Sequence, residues 1–164
     1  MTETLKRTEE AVEAFIKALE KTGKKIEKYE AKLKEIRSQL EDMEVKVLDL
    51  SSKMREIERT IHKKLNKIQR TNKLLMQAKS QRQIETYDRD LRQLHKEVAK
   101  LDKEYNKLKA AYDELVAKEE KLLDKEMKLE EEKAKLYHER ELLMKHAEQI
   151  MNRLASKIGR IRTA

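Results

Sequence analysis

The chain has 164 residues, of which 44% are charged, 38% hydrophobic and 4% aromatic, with two glycines and no proline, cysteine or tryptophan. Compact domains need Gly and Pro for their turns, so this composition argues against a sizeable globular core and is typical of long helices with a narrow apolar stripe. The absence of cysteine excludes disulfides and thiolate chemistry. The formal charge of +8 can direct binding only where it is concentrated.

Apolar residues in the first half of the chain recur every seven residues. From Leu5 to Leu75 one heptad position, a, is apolar in every repeat, and position d, three residues later, is mostly apolar. A heptad pattern sustained over this length indicates a coiled-coil helix. It predicts a first coiled-coil helix over residues 1–78, in which Gly23 would kink or weaken the helix.

A second heptad series occupies the other half of the chain, with d residues from Tyr87 to Ile150 and a residues from Ile84 onward. The first frame would place an a residue at Arg82, so the two frames differ by two residues. A continuous coiled coil absorbs shifts of three or four residues, not two. The shift predicts a turn over residues 79–83, a second coiled-coil helix over 84–158 and, after a C-cap at Gly159, a basic C-terminal tail over 159–164.

The residue numbers of the two series match an antiparallel pair of helices. In such a pair an a residue of one helix packs against a d residue of the other, so the two numbers in every layer have a constant sum. Leu75 with Tyr87 and Leu19 with Leu143 both give 162. The predicted fold class is therefore all-α: a long antiparallel coiled-coil helical hairpin of two helices, which is expected to self-associate. Ser80 and Gln83 have the spacing of a capping box at the start of the second helix.

The alternative architecture is a continuous parallel coiled-coil dimer. Four successive a positions of the second series are charged, and in a parallel dimer each would face its own copy. In the hairpin they face uncharged residues of the first series, and their charges can extend to water. These four residues, which favour the hairpin, are Glu119, Glu126, Lys133 and Arg140.

Nothing in the sequence indicates catalysis. Two helices offer no concave site, and the chain has no phosphate-binding loop or nucleophile motif. The four histidines lie outside the a and d positions without ligand spacing, so we expect no enzyme activity, cofactor, metal or small-molecule substrate. No stretch approaches the roughly 18 apolar residues of a membrane span. We therefore expect a soluble intracellular protein of the cytoplasm or nucleus.

One charged segment stands out from the background. No acidic residue occurs between Glu58 and Glu85. The segment carries eight basic residues, here called the basic tip: Arg59, Lys63, Lys64, Lys67, Arg70, Lys73, Lys79 and Arg82. It is either ordinary solvated surface or a surface that docks to phosphates or to an acidic protein. A smaller basic set lies near the C-terminus at Arg153, Lys157, Arg160 and Arg162.

The apolar stripes near the two chain ends are wider than a and d alone. Two helices cannot cover both stripes, which predicts a homo-oligomer in the form of a dimer of hairpins, a docking face for a partner helix, or both. We call this set the terminal face: Val12, Phe15, Ile16, Leu19, Met144, Ala147, Ile150, Met151 and Leu154.

These features support two hypotheses of different classes. The first is a non-enzymatic structural or adaptor protein that oligomerises or docks through its terminal face and presents the basic tip to a larger assembly. The second is a nucleic-acid-binding arm that grips phosphates with the basic tip. No aromatic residue occurs between Arg59 and Ile84, so such binding would be independent of base sequence.

Overall fold

The computed structural model describes residues 2–163, with the side chains of residues 161–163 left undescribed. It contains two α-helices, α1 (Thr2–Gln77) and α2 (Gln81–Thr163), which form an antiparallel helical hairpin. The chain has no proline and only two glycines, so nothing in the interior of either helix removes a backbone donor. The hairpin confirms the predicted fold class and is not the continuous parallel alternative.

The chain divides into two compact units, which are described separately. The terminal unit comprises Met1–Gln39 and Leu122–Ala164, and the turn unit comprises Leu40–Lys121. Each unit contains a stretch of both helices, so each has its own part of the apolar seam.

The seam follows the predicted heptads. Ile26 and Leu33 are buried in the terminal unit, and Ile68 and Leu91 are buried in the turn unit. Most other a and d residues are half-buried, while most residues outside these positions are exposed. Thr22 is also buried, although its side chain is polar. Its Oγ1 donates a hydrogen bond to the carbonyl oxygen of Ala18 at 2.9 Å, so the hydroxyl is not left without a partner. The core is thus a single row of layers between two helices.

Contacts between the helices confirm the predicted register. Lys64 bonds to Glu97, and the hydroxyl of Tyr105 donates to Oε1 of Glu58 at 2.8 Å. The residue numbers of these pairs add up to 161 and 163, on either side of the predicted 162. The pairing of the Tyr105 hydroxyl with a carboxylate raises its pKa, chiefly through that hydrogen bond.

The turn is shorter than predicted and is built by the predicted capping residues. The amide of Gln83 donates to Oγ of Ser80 at 3.2 Å, and Oε1 of Gln83 accepts from the amide of Lys79 at 3.2 Å. Because Ser80 is the N-cap, α2 begins at Gln81 rather than at residue 84. The linker is residues 78–80, not 79–83, and α1 ends in a tight turn in which Ala78 N donates to the Leu75 carbonyl at 3.2 Å.

Both glycines lie within helices. Gly23 does not interrupt α1, and Gly159 lies inside α2, which continues to Thr163. No described glycine has a positive φ, so the predicted C-cap at Gly159 does not form. The physical reason is that glycine also adopts right-handed helical geometry, and no proline follows to stop the helix. Part of the predicted tail, the Arg162 side chain and Ala164, lies outside the described residues.

Candidate interaction surfaces

The basic tip contains a stripe of five exposed cations on one face of α1. These residues, here called the basic stripe, follow one another at intervals of four, four, three and three: Arg59, Lys63, Lys67, Arg70 and Lys73. At 3.6 residues per turn such intervals keep the side chains on one side of the helix, over about 21 Å of its axis. Within the described part of the chain, none of the five forms an ion pair. The stripe is therefore an extended positive surface, bordered on α2 by Asp90 and Glu97, which line the same cleft as Lys67 and Arg70.

Lys64 differs from the other residues of the basic tip. It occupies a d position, its side chain is 26% exposed, and its Nζ is paired with Oε2 of Glu97. The hydrogen bond from Lys64 lowers the pKa of Glu97, and a second one from Gln93 acts in the same direction. Lys64 thus belongs to the contact between the helices, and we remove it from the residues expected to meet a partner.

The remaining two residues of the basic tip flank the turn. Lys79 lies in the linker and Arg82 in the first turn of α2, and both are exposed. Farther along α2, acidic and basic residues alternate, and Asp88 is paired with Arg92 at 3.2 Å. On this part of α2, Arg89 and Arg92 are offset by Glu85, Asp88 and Asp90, so the positive charge is concentrated on α1 and at the turn.

The turn unit also exposes apolar side chains close to these cations. Met76, at the end of α1, is 89% exposed, and Leu74 and Ile84 are also exposed. Sequence periodicity placed Ile84 in a layer with Ala78, but it is 39% exposed because the hairpin ends there and no further layer covers it. Leu74, at position g, lies on the side of α1 that carries Lys67 and Arg70, whereas Met76, at position b, lies on the other side. Exposed apolar side chains near cations are typical of protein docking surfaces.

The structure divides the predicted terminal face into two sets. Six of its nine residues are half-buried at a and d positions, in the seam between α1 and α2: Val12, Phe15, Leu19, Ala147, Ile150 and Leu154. The other three, Ile16, Met144 and Met151, lie one position beyond the seam and are 50%, 54% and 58% exposed. Of the nine residues, these three can contact another chain without opening the hairpin, and the exposed Ile158 lies on the same side of α2 as Met144 and Met151.

A polar cluster in the terminal unit occupies two of the charged a positions. The hydroxyl of Tyr137 donates to Oε1 of Glu30 at 2.8 Å, and Nζ of Lys133 lies 3.6 Å from the same oxygen. The guanidinium of Arg140 lies 4.7 Å from the centre of the Tyr137 ring. The bond to Glu30 raises the pKa of Tyr137, which therefore stays protonated as a donor. The charges of Lys133 and Arg140 thus extend out of the seam, as the hairpin requires.

The terminal unit has shallow clefts rather than an enclosed site. A cleft of about 550 Å³ between the chain ends is bordered by Leu5, Ile150, Leu154 and Ile158, with Arg153 and Lys157 beside them. Among the described residues, no group of His, Asp and Glu side chains has the arrangement of a metal site. No described helix is long and apolar enough to cross a membrane. The surfaces, not the clefts, are the chemically distinctive features.

No protein-family model, curated protein or solved structure matches this chain.

Proposed function

We propose that the protein is a non-enzymatic structural or adaptor component that associates through the exposed part of its terminal face and presents the basic tip to an acidic protein surface in a larger assembly. The observation that carries the proposal is the basic stripe, in which five exposed cations lie on one face of α1 and form no ion pair with any described residue. Long helices held in register present charges at fixed spacing, which favours recognition of an extended acidic surface.

The apolar side chains at the turn favour a protein partner over nucleic acid. Leu74, which lies four residues after Arg70 on the same side of α1, would gain from burial in an apolar groove rimmed by carboxylates, whereas a phosphate backbone offers it no contact. The runner-up, a nucleic-acid arm, is supported by the same stripe, because its cations could neutralise successive phosphates. One experiment separates the two hypotheses.

The test reverses four residues of the basic stripe in one chain, with the substitutions Lys63→Glu, Lys67→Glu, Arg70→Glu and Lys73→Glu. All four side chains are exposed and lie outside a and d, so helicity and unfolding temperature should stay close to wild type. Association with the partner complex should become at least about tenfold weaker, since several attractive charges become repulsive. Pull-down of the complex with wild-type and variant protein, followed by titration, measures the change.

The matched control reverses four exposed lysines of the turn unit outside the stripe, Lys103, Lys107, Lys109 and Lys121, and should bind like wild type. A nucleic-acid arm would instead bind duplexes of unrelated sequence alike, with log affinity falling linearly with log salt by about 0.9 per phosphate neutralised. Equal binding by the stripe variant and the control would contradict a docking role for the basic stripe.

A further inference from the structure

The two lateral flanks of the terminal unit carry opposite charges. In an antiparallel pair, positions e and b of both helices lie on one side of the seam, and positions g and c lie on the other. Contacts in the terminal unit define the first side, since Arg37 with Glu130 and Tyr137 with Glu30 are e residues that meet across the helices. A cleft of about 380 Å³ defines the other side, because its lining includes Lys25 and Lys28 of α1 and Lys135 of α2, all at g and c.

The e and b flank is acidic and apolar over residues 6–28 of α1 and 134–158 of α2. Lys6 is its single basic residue. Its six acidic residues, all exposed, are Glu9, Glu13, Glu20, Glu27, Glu141 and Glu148. The exposed apolar residues Ile16, Met144, Met151 and Ile158 lie among them on this same flank. We call this surface the acidic flank.

The g and c flank of the same segments has the reverse charge. Glu139 is its single acidic residue. Its six basic residues, all exposed, are Arg7, Lys21, Lys25, Lys28, Lys135 and Arg153. Ala11, Ala14 and Ala18 lie between the basic residues of α1, and Leu142, at position c of α2, is 45% exposed. We call this surface the basic flank; its small side chains are on α1 and its large apolar one is on α2. Lys17, Lys24 and Lys145 are at the outer position f and belong to neither flank.

We infer that copies of this chain associate side by side, with the acidic flank of one terminal unit packed against the basic flank of the next. This inference rests on the self-association in the proposed function. It specifies which two surfaces meet and how the copies are arranged. Each flank extends for about 34 Å along α1, and within the described residues none of these twelve charges has an ion-pair partner. The second copy supplies complementary charge, and its basic flank offers the alanines of α1 and the exposed Leu142 of α2 as apolar contacts for Ile16, Met144 and Met151.

The charge distribution argues against a symmetric contact. A two-fold interface would bring the acidic flank of one copy against the same flank of its partner, with six carboxylates and one lysine on each side. Like charges in contact are repulsive, whereas the head-to-tail arrangement pairs six acids with six bases. Because each copy keeps one free flank, such contacts build a ring or an open row rather than a closed dimer.

Two charge-reversal variants test the inference. The acidic-flank variant combines Glu13→Lys, Glu20→Lys and Glu148→Lys, and the basic-flank variant combines Lys21→Glu, Lys25→Glu and Lys28→Glu. All six positions are exposed and outside a and d, so circular dichroism should show unchanged helicity. In sedimentation at low salt, wild type should exceed the 19.6 kDa of one chain, and each variant alone should sediment as a monomer.

The decisive sample is an equimolar mixture of the two variants. The three reversals leave the altered flank of each variant with nearly equal numbers of acidic and basic residues. The acidic-flank variant keeps its basic flank and the basic-flank variant keeps its acidic flank, so these two unaltered flanks can pair. The mixture should therefore recover species larger than a monomer while neither variant does so alone. Failure of the mixture to associate would overturn the inference, and so would a basic-flank variant that associates like wild type. If the basic-flank variant associated like wild type, the chain would self-associate through a surface other than the basic flank. Wild type that remains monomeric at high concentration would overturn both the inference and the self-association on which it rests.

Discussion

The contact between Lys64 and Glu97 places a charged pair at a position that the heptad reserves for an apolar residue. Lys64 occupies the same heptad position, d, as Ile57 and Thr71, but its side chain is positively charged. Its ammonium group forms an ion pair with the carboxylate of Glu97 on the other helix. A polar residue in a coiled-coil seam favours the register in which it finds its partner, at some cost in stability. We interpret this pair as a determinant of register in the turn unit.

The pair predicts a pH-dependent contribution to the stability of the hairpin. Because Lys64 lowers the pKa of Glu97 in the folded chain, the stabilisation is complete above the ordinary glutamate value of 4.5 and is lost as the pH falls through the lowered value. Glu97→Gln should therefore destabilise the hairpin at neutral pH, and the difference from wild type should shrink in acid. Thermal unfolding of both proteins as a function of pH measures this.

Glu104→Gln is the matched control for that experiment. Glu104 occupies the same heptad position one repeat later and is exposed, and no described residue forms an ion pair with it. Its substitution should change the unfolding temperature little at any pH. If the Glu97 and Glu104 variants had the same pH dependence, the contact with Lys64 would not be a source of stability.

At the scale of helices, the junction between α1 and α2 is held by the side chains of Ser80 and Gln83. Ser80 caps α2 by accepting a hydrogen bond from the amide of Gln83, and the chain reverses without glycine or proline. The first amides of a helix have no intrahelical acceptor, so the cap satisfies a donor that the turn would otherwise leave to water. The start of α2 at Gln81 follows directly.

Ser80→Ala should lower the free energy of unfolding by about 1 kcal/mol. Denaturant titration followed by circular dichroism measures the loss. Ser38→Ala is the control, because Ser38 is an exposed residue inside α1 and alanine has the higher helix propensity there. The control should be neutral or slightly stabilising. Equal destabilisation by the two substitutions would show that the cap does not hold the junction.

At the scale of the whole molecule, the antiparallel pairing determines which distant residues become neighbours. Val47 and Leu115 are half-buried seam residues of the turn unit, and they are layer partners in the predicted register. Layer partners lie close enough for a disulfide, whereas residues two heptads apart along a helix are separated by about 21 Å.

Cysteines at Val47 and Leu115 should therefore oxidise within one chain at low protein concentration. Non-reducing electrophoresis distinguishes an internally crosslinked monomer from a crosslinked dimer. Cysteines at Val47 and Leu101, which belong to different layers, provide the control and should not form the internal bridge. Crosslinks exclusively between chains in the first variant would contradict the hairpin as the state in solution.

The sequence by itself determined the seam and the reversal of the chain. Heptad spacing identifies the residues that face a partner helix, and a frame shift of two residues cannot be absorbed in one continuous coil. The capping spacing of Ser80 and Gln83 was also readable, because it depends only on residues close in sequence. The end of α2 could not be predicted from the sequence, because a glycine near a chain end is compatible with both a helix cap and a continued helix.

Only the tertiary structure decided which side chains remain available to other molecules. Whether Phe15 or Ile16 is covered depends on the position of the second helix, so sequence analysis placed both residues in the terminal face. In the structure Phe15 is half-buried in the seam and Ile16 is exposed. Lys64 was indistinguishable from Lys63 by charge, but its d position turns it toward Glu97 of the other helix. Heptad periodicity predicts on which side of its helix a residue lies. The helix packed against that side determines which residues it contacts and whether it remains exposed.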